Sequence, residues 1–261
     1  MVGAKQANLI DGQGGLPLRH KAVFAGILFA VGLTCYVSFQ PSQIWILLLT
    51  ACIALFASFS SDLRENNSIL DKTTSAVLPV MGIFSSGLFI RTQFSGYESI
   101  VFSLAVGFFG GLIIFLQGKA SSENLKWQPQ IRFLFLLITY PVAFSLFHYI
   151  EDLEMQLPLT SVACGLVVFI LGFEIYRIRA NNDYVLFLLC LVSAFTIAQL
   201  RLVLFFFPID PLFLSALILI GFYATTGLIA RFDSNGRKVL AVLEYSVITA
   251  IAVTALFIFW S

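Results

Sequence analysis

Charge is what this chain has least of. Only 11% of its 261 residues are Asp, Glu, Lys or Arg, whereas a soluble domain of this size needs a polar shell of roughly 25% charged residues. With 59% hydrophobic residues and a mean hydropathy of +0.94, the shortage excludes a water-soluble globule and points to lipid as the solvent. The cysteines are as uninformative as they are few. Cys35, Cys52, Cys164 and Cys190 each sit in an apolar stretch and share no close spacing. That excludes both a disulfide framework and the paired spacing of a zinc site. Long polar segments are missing too: the widest gaps between apolar runs, residues 61–74 and 118–131, are too short to fold alone. There is no P-loop, G-x-S-x-G, H-E-x-x-H or dinucleotide fingerprint. No cofactor or metal is expected, and nothing commits the chain to being an enzyme.

What the sequence does contain is a series of apolar runs of the length that crosses a hydrocarbon core as helix, about 17 to 25 residues. They cover 22–39, 43–60, 75–91, 100–117, 132–150, 159–177, 184–207, 212–230 and 240–260. The expected fold is therefore all-α, a polytopic integral membrane bundle of about nine transmembrane helices. The run at 75–91 is the weakest, because it is short and contains Pro79. Its retention is argued from the loops: with nine crossings, every Lys and Arg except Arg91 and Arg201 falls on one side. Such asymmetry marks the cytoplasmic face. It places the N-terminus inside and the C-terminus outside. Residues 1–21, with the glycines of "DGQGGLP", read as a flexible cytoplasmic leader, and 22–261 as a single bundle domain. A bacterial inner membrane, or an equivalent organellar membrane, is the expected location. The lipid bilayer and other membrane proteins are the expected partners, and nucleic acid is not.

Several polar residues have local explanations. "SGYE", Ser95 to Glu98, has the spacing of a capping box. Asp210 before Pro211 suits an N-cap followed by a first helical residue. Small residues four apart, Gly107 with Gly111 and Ser161 with Gly165, mark the fourth and sixth helices as close-contact helices, since backbone approach and dispersion drive association in lipid. Pro79 and Pro141 lie mid-helix and are expected to kink their helices.

Ionisable groups within the apolar runs are the better pointers to function, because a charge at mid-bilayer costs at least about 2.5 kcal/mol. Arg201 stands in "QLRLVLFFFP" with Gln199 two residues earlier, on another face. It is about 10 Å of helix from Pro208 at roughly 1.5 Å per residue, so its expected use is to snorkel outward or to meet a counter-ion. Glu174 and Glu244 lie near the inner ends of their helices, where Arg177 and Arg237 or Lys238 are natural partners. On the outer side "HYIEDLE" holds His148, Glu151, Asp152 and Glu154. Helical spacing puts the first three on one face. A solvated acidic loop is the plain reading of this cluster, and Glu151 or Asp152 is the expected counter-ion for Arg201.

Three functional classes follow. A non-catalytic structural, assembly or accessory subunit of a membrane complex needs no constellation beyond these and is the leading expectation. A secondary transporter or channel would use Arg201 near an outward-facing polar site. An enzyme acting on a lipid-linked substrate would use the outer acids at the interface.

Overall fold

In a computed structural model, the chain is described over residues 18–38, 44–61, 69–121, 128–176, 183–232 and 238–260. These form nine helices and no strand among the described residues. In chain order they are α1 (Leu18–Ser38), α2 (Ile44–Ser61), α3 (Ile69–Gln93), α4 (Tyr97–Ser121), α5 (Gln128–Asp152), α6 (Leu157–Tyr176), α7 (Asp183–Leu204), α8 (Pro211–Phe232) and α9 (Lys238–Trp260). Seven are long and apolar enough to cross a membrane, and the described apolar parts of α2 and α9, Ile44–Ser58 and Val242–Ala255, are shorter. The weakest run of the sequence is a continuous 25-residue helix, α3, with Pro79 inside it, and Pro141 likewise lies inside α5.

Helix ends run past the apolar windows, because the pattern reports the hydrocarbon core while the helix continues into the interface. Thus α1 begins at Leu18 and draws Arg19, His20 and Lys21 into its first turn, where the sequence suggests leader up to residue 21. The rest of that leader lies outside the described residues. At the other extreme α7 stops at Leu204, short of the expected 207. Phe206 and Phe207 donate to the carbonyls three residues back, at 3.4 and 3.2 Å. This tightened turn is what a helix does just before a proline such as Pro208.

The caps divide. Asp210 caps α8 as expected: its carboxylate accepts from the Leu212 amide at 2.9 Å, and its carbonyl accepts from Leu214 at 2.8 Å. The capping box at Ser95 and Glu98 is not made, and both residues are exposed. Gly96 turns the chain at φ +61°, a conformation that favours glycine, and the Ser99 hydroxyl donates back to the Gly96 carbonyl at 2.7 Å.

Two compact units are resolved, Met1–Gly87 with Ser95–Ile131, and Leu88–Phe94 with Arg132–Ser261. In the first, α1 packs most extensively on α4 and also on α2. The crossing of α1 and α4 is a contact of backbones. A Cβ added to Gly107 would stand 2.5 Å from the Ala30 Cβ and 2.6 Å from its nitrogen, and one added to Gly111 would stand 2.8 Å from the Ala22 carbonyl oxygen. Gly26 in turn has room only for the Gly107 carbonyl and the Gly111 Cα, 3.1 and 3.3 Å from its own added Cβ. The glycine pair of the sequence therefore meets a second small-residue row, Ala22, Gly26 and Ala30, on α1.

In the second unit α6 and α7 form the main antiparallel pair, flanked by α8, which also packs on α9. Gly165 lies against Ala194 and Ala198, and Gly172 against Cys190. Polar side chains bridge helices here as well. The Tyr176 and Ser193 hydroxyls are 2.7 Å apart and fully buried, joining α6 to α7. Tyr140 on α5 meets Thr226 on α8 at 3.3 Å, and its ring packs edge-on against Phe222 and Tyr223.

Candidate functional site

The site grows from the ends of two helices that point the same way. α5 ends at Asp152 and α7 at Leu204, and α6 runs antiparallel to α7 between them in sequence. At both ends the last carbonyls carry partial negative charge. Arg201, in the final turn of α7, suits that field. Glu151, in the final turn of α5, opposes it and needs a cation.

It has one. Arg201 Nε donates to Glu151 Oε1 at 2.6 Å, and Arg201 Nη2 donates to Oε2 at 2.7 Å. This is the two-pronged arrangement of guanidinium and carboxylate that is stronger and more directional than a single ion contact. The two side chains are only 9% and 4% exposed, so water competes little. The structure thus selects Glu151 over Asp152 as counter-ion and turns Arg201 inward, away from the snorkelling path. Cys164 of α6 completes the contact, with its Sγ 4.0 Å from Glu151 Oε1. Three successive helices converge on one carboxylate.

One turn deeper on α5, His148 is also buried. Its Nε2 is 2.6 Å from Gln93 Nε2, at the last residue of α3. Because the amide nitrogen is the donor there, Nε2 is the accepting nitrogen and the proton of a neutral ring belongs on Nδ1. The ring stacks at 10° on Phe144 and meets Phe89 edge-on. The outer cluster is therefore split, contrary to the solvated loop expected from sequence. His148 and Glu151 face the interior, while Asp152 and Glu154 are exposed. Helix α5 ends between the two pairs: the Glu154 amide donates to the Glu151 carbonyl at 3.2 Å, and Glu154 itself adopts φ +47°.

The other sequence candidates do not join this site. Gln199 is exposed on a different face of α7 from Arg201. Glu174 is buried in α6 and Glu244 is exposed on α9. Their expected partners, Arg177, Arg237 and Lys238, lie outside the residues whose side chains are described. Among the described residues no three His, Cys, Asp or Glu side chains form a metal-binding group. One residue of the site has no signal in the sequence. Gln93 reaches His148 across 55 positions, a pairing with no local signal. The α1 row Ala22, Gly26 and Ala30, by contrast, has the same four-residue spacing as Gly107 and Gly111 and was there to be read.

Some polar capacity is left over. Arg201 Nη1, His148 Nδ1 and Ser161 Oγ are buried without a hydrogen-bond partner. The α6–α7 register that sets Gly165 against Ala198 brings Ser161, one turn earlier on α6, to the level of Arg201.

A helical membrane protein with one buried ion pair, Arg201 with Glu151, joining two of its own helices is the class these features define. Within that class, the chain belongs to the DUF5656 family, described as proteins of unknown function, whose pattern it matches over residues 23–259. No curated protein and no solved structure matches it.

Proposed function

We propose that this protein is a non-catalytic structural, assembly or accessory subunit of a membrane complex, set in a bacterial inner membrane or an equivalent organellar one with its basic loops in the cytoplasm. The observation that carries the reading is the use of its costliest charge. Arg201 is held by Glu151 through two short hydrogen bonds in a nearly dry setting, which makes it a tie between helices of the same chain. A substrate site would need the guanidinium to present its paired edge outward, and here that edge is occupied. Broad apolar surface is left for lipid or partner helices, including Phe205, Phe206 and Phe207 at the outer end of α7, exposed by 51, 80 and 56%.

The test is the state of the native protein. Extracted from its own membrane in mild detergent, it is expected to migrate as a particle larger than one 28.9 kDa chain, with a second protein in fixed stoichiometry. A lone monomer in detergent and in nanodiscs alike would contradict the proposal.

A second reading, a transporter for a small anionic solute, is favoured by one observation: Arg201 Nη1 and Ser161 Oγ are both unpartnered at one level. It predicts saturable anion flux into proteoliposomes that is lost in Arg201→Lys, which keeps the charge but not the fork. Absence of any flux difference between those vesicles and empty ones would remove it.

A further inference from the structure

Helix α7 presents two rows of side chains. One, with Cys190, Ser193, Ile197 and Arg201, is buried inside the second unit. The other is Val185, Leu188, Val192, Phe195, Gln199 and Leu202, and every member is exposed. The steps along this lipid-facing row alternate between three and four residues, the a and d spacing that keeps one seam turned toward a partner helix. Val185, Val192 and Gln199 take the a positions, and Leu188, Phe195 and Leu202 the d positions. Branched residues at a with leucine at d favour two strands, and a single polar residue at a fixes register and number. From Val185 to Leu202 the row extends about 26 Å at roughly 1.5 Å per residue, most of a hydrocarbon core about 30 Å thick.

Five members of the row are apolar and suit lipid as well as they suit a helix. Gln199 does not. It lies within the membrane-crossing stretch Tyr184–Leu204, and its exposed amide makes no hydrogen bond among the described residues. The Cα–Cβ bond of a helical residue tilts toward the helix N-terminus, so this side chain leans away from the nearer end of α7 and deeper among the tails. Lipid tails offer it neither donor nor acceptor. Thr196, one turn earlier, shows the contrast: its hydroxyl donates to the Val192 carbonyl at 2.8 Å and is satisfied within its own helix. Gln199 therefore calls for a polar group at its own depth, on a helix that fits the seam. A second copy of the chain supplies both. A two-fold axis along the membrane normal sets α7 parallel to its twin and holds equivalent residues at equal depth. An amide both donates and accepts, so two facing Gln199 side chains satisfy each other.

We propose that the lipid-facing row of α7 is the interface of a homodimer, in which two α7 helices run parallel and are joined by a Gln199 pair. The pairing goes beyond the subunit reading and stands without it, because it asks for no second protein.

Full-length protein labelled with donor and acceptor dyes, in phosphatidylcholine vesicles, is expected to show energy transfer that falls as added lipid dilutes the chains. Gln199→Leu should need about tenfold more protein per lipid for the same transfer, the scale of one or two interhelical hydrogen bonds. Gln199→Asn, which keeps an amide, should stay within about threefold of wild type by the same measure. An unchanged midpoint in Gln199→Leu, or no transfer by wild type at any dilution, would overturn the interface. A second experiment leaves Gln199 in place. In native membranes, in a Cys52→Ser background that removes the exposed native thiol, Val192→Cys is expected to oxidise to a covalent dimer of this chain. Ile251→Cys, exposed on α9, is not. No dimer through Val192→Cys, equal dimer at both positions, or a crosslink from Val192→Cys to a different protein would contradict the proposal. A dimer of this chain with no second protein bound would support it while contradicting the subunit reading.

Discussion

The two units hold their helices together by different means. In the first, side chains are removed: Gly26, Gly107 and Gly111 let α1 and α4 meet backbone to backbone. In the second, Gly165 and Gly172 also admit close approach of α7, but polar side chains are added to it: Glu151 with Arg201, Tyr176 with Ser193 and Tyr140 with Thr226 reach across from helix to helix. Both are answers to one physical problem. Lipid tails are as apolar as the helix surface, so burial of apolar area does not drive helices together as it does in water. Close approach gains dispersion at every atom of the contact and tolerates no bulk. Polar bridges gain direction, and they leave a costly remainder if one partner is removed.

That difference orders the expected losses. The largest belongs to Arg201→Met, which leaves Glu151 buried and uncompensated. Removing one partner of such a pair costs about 3 to 5 kcal/mol, and thermal unfolding in detergent should show a fall of many degrees. Next comes Gly107→Val in the first unit. Its Cβ would fall 2.6 Å from the Ala30 nitrogen, and backbone cannot step aside as a flexible side chain can. Overpacking of this kind costs about 1 to 3 kcal/mol, and the same assay should place it at the upper end. Tyr176→Phe removes one buried bridge with no change of shape. Interhelical hydrogen bonds in membranes average about 0.6 kcal/mol and reach about 1.7, so a small but resolvable shift is expected. Gln93→Ala should have the smallest effect, because Gln93 is itself exposed and water or a headgroup can take its place at His148 Nε2. A large loss in Gln93→Ala, or none in Gly107→Val, would break the comparison at its two ends.

The features legible in the sequence were those written in local pattern. Apolar runs gave the helices, with ends displaced by a few residues wherever the helix outlasted the hydrocarbon, as at Leu18, or stopped before a proline, as at Leu204. Asp210 before Pro211 announced its cap. The charge pattern narrowed Arg201's partner to two acids. It did not choose between them, since Glu151 and Asp152 are adjacent and differ by about 100° around a helix of 3.6 residues per turn. Only the facing of α5 decides that one points to α7 and the other to water. The same loss of phase turned a buried His148 and Glu151 into a solvated loop on paper. Gln93 was illegible for a stronger reason: its partner is set by tertiary packing, and a glutamine at a helix end has many ordinary uses.

The central claim is that Arg201 and Glu151 serve each other as a structural tie. Its most direct test is a double-mutant cycle read by thermal unfolding: wild type, Arg201→Met, Glu151→Leu and the pair together. Each single variant should lose about 3 to 5 kcal/mol, and the double variant, with neither charge left buried alone, should return to within about 1 kcal/mol of wild type, since an apolar replacement of a buried pair is often neutral. If the two losses simply add, the residues do not answer to each other and the tie is not what holds this end of the bundle.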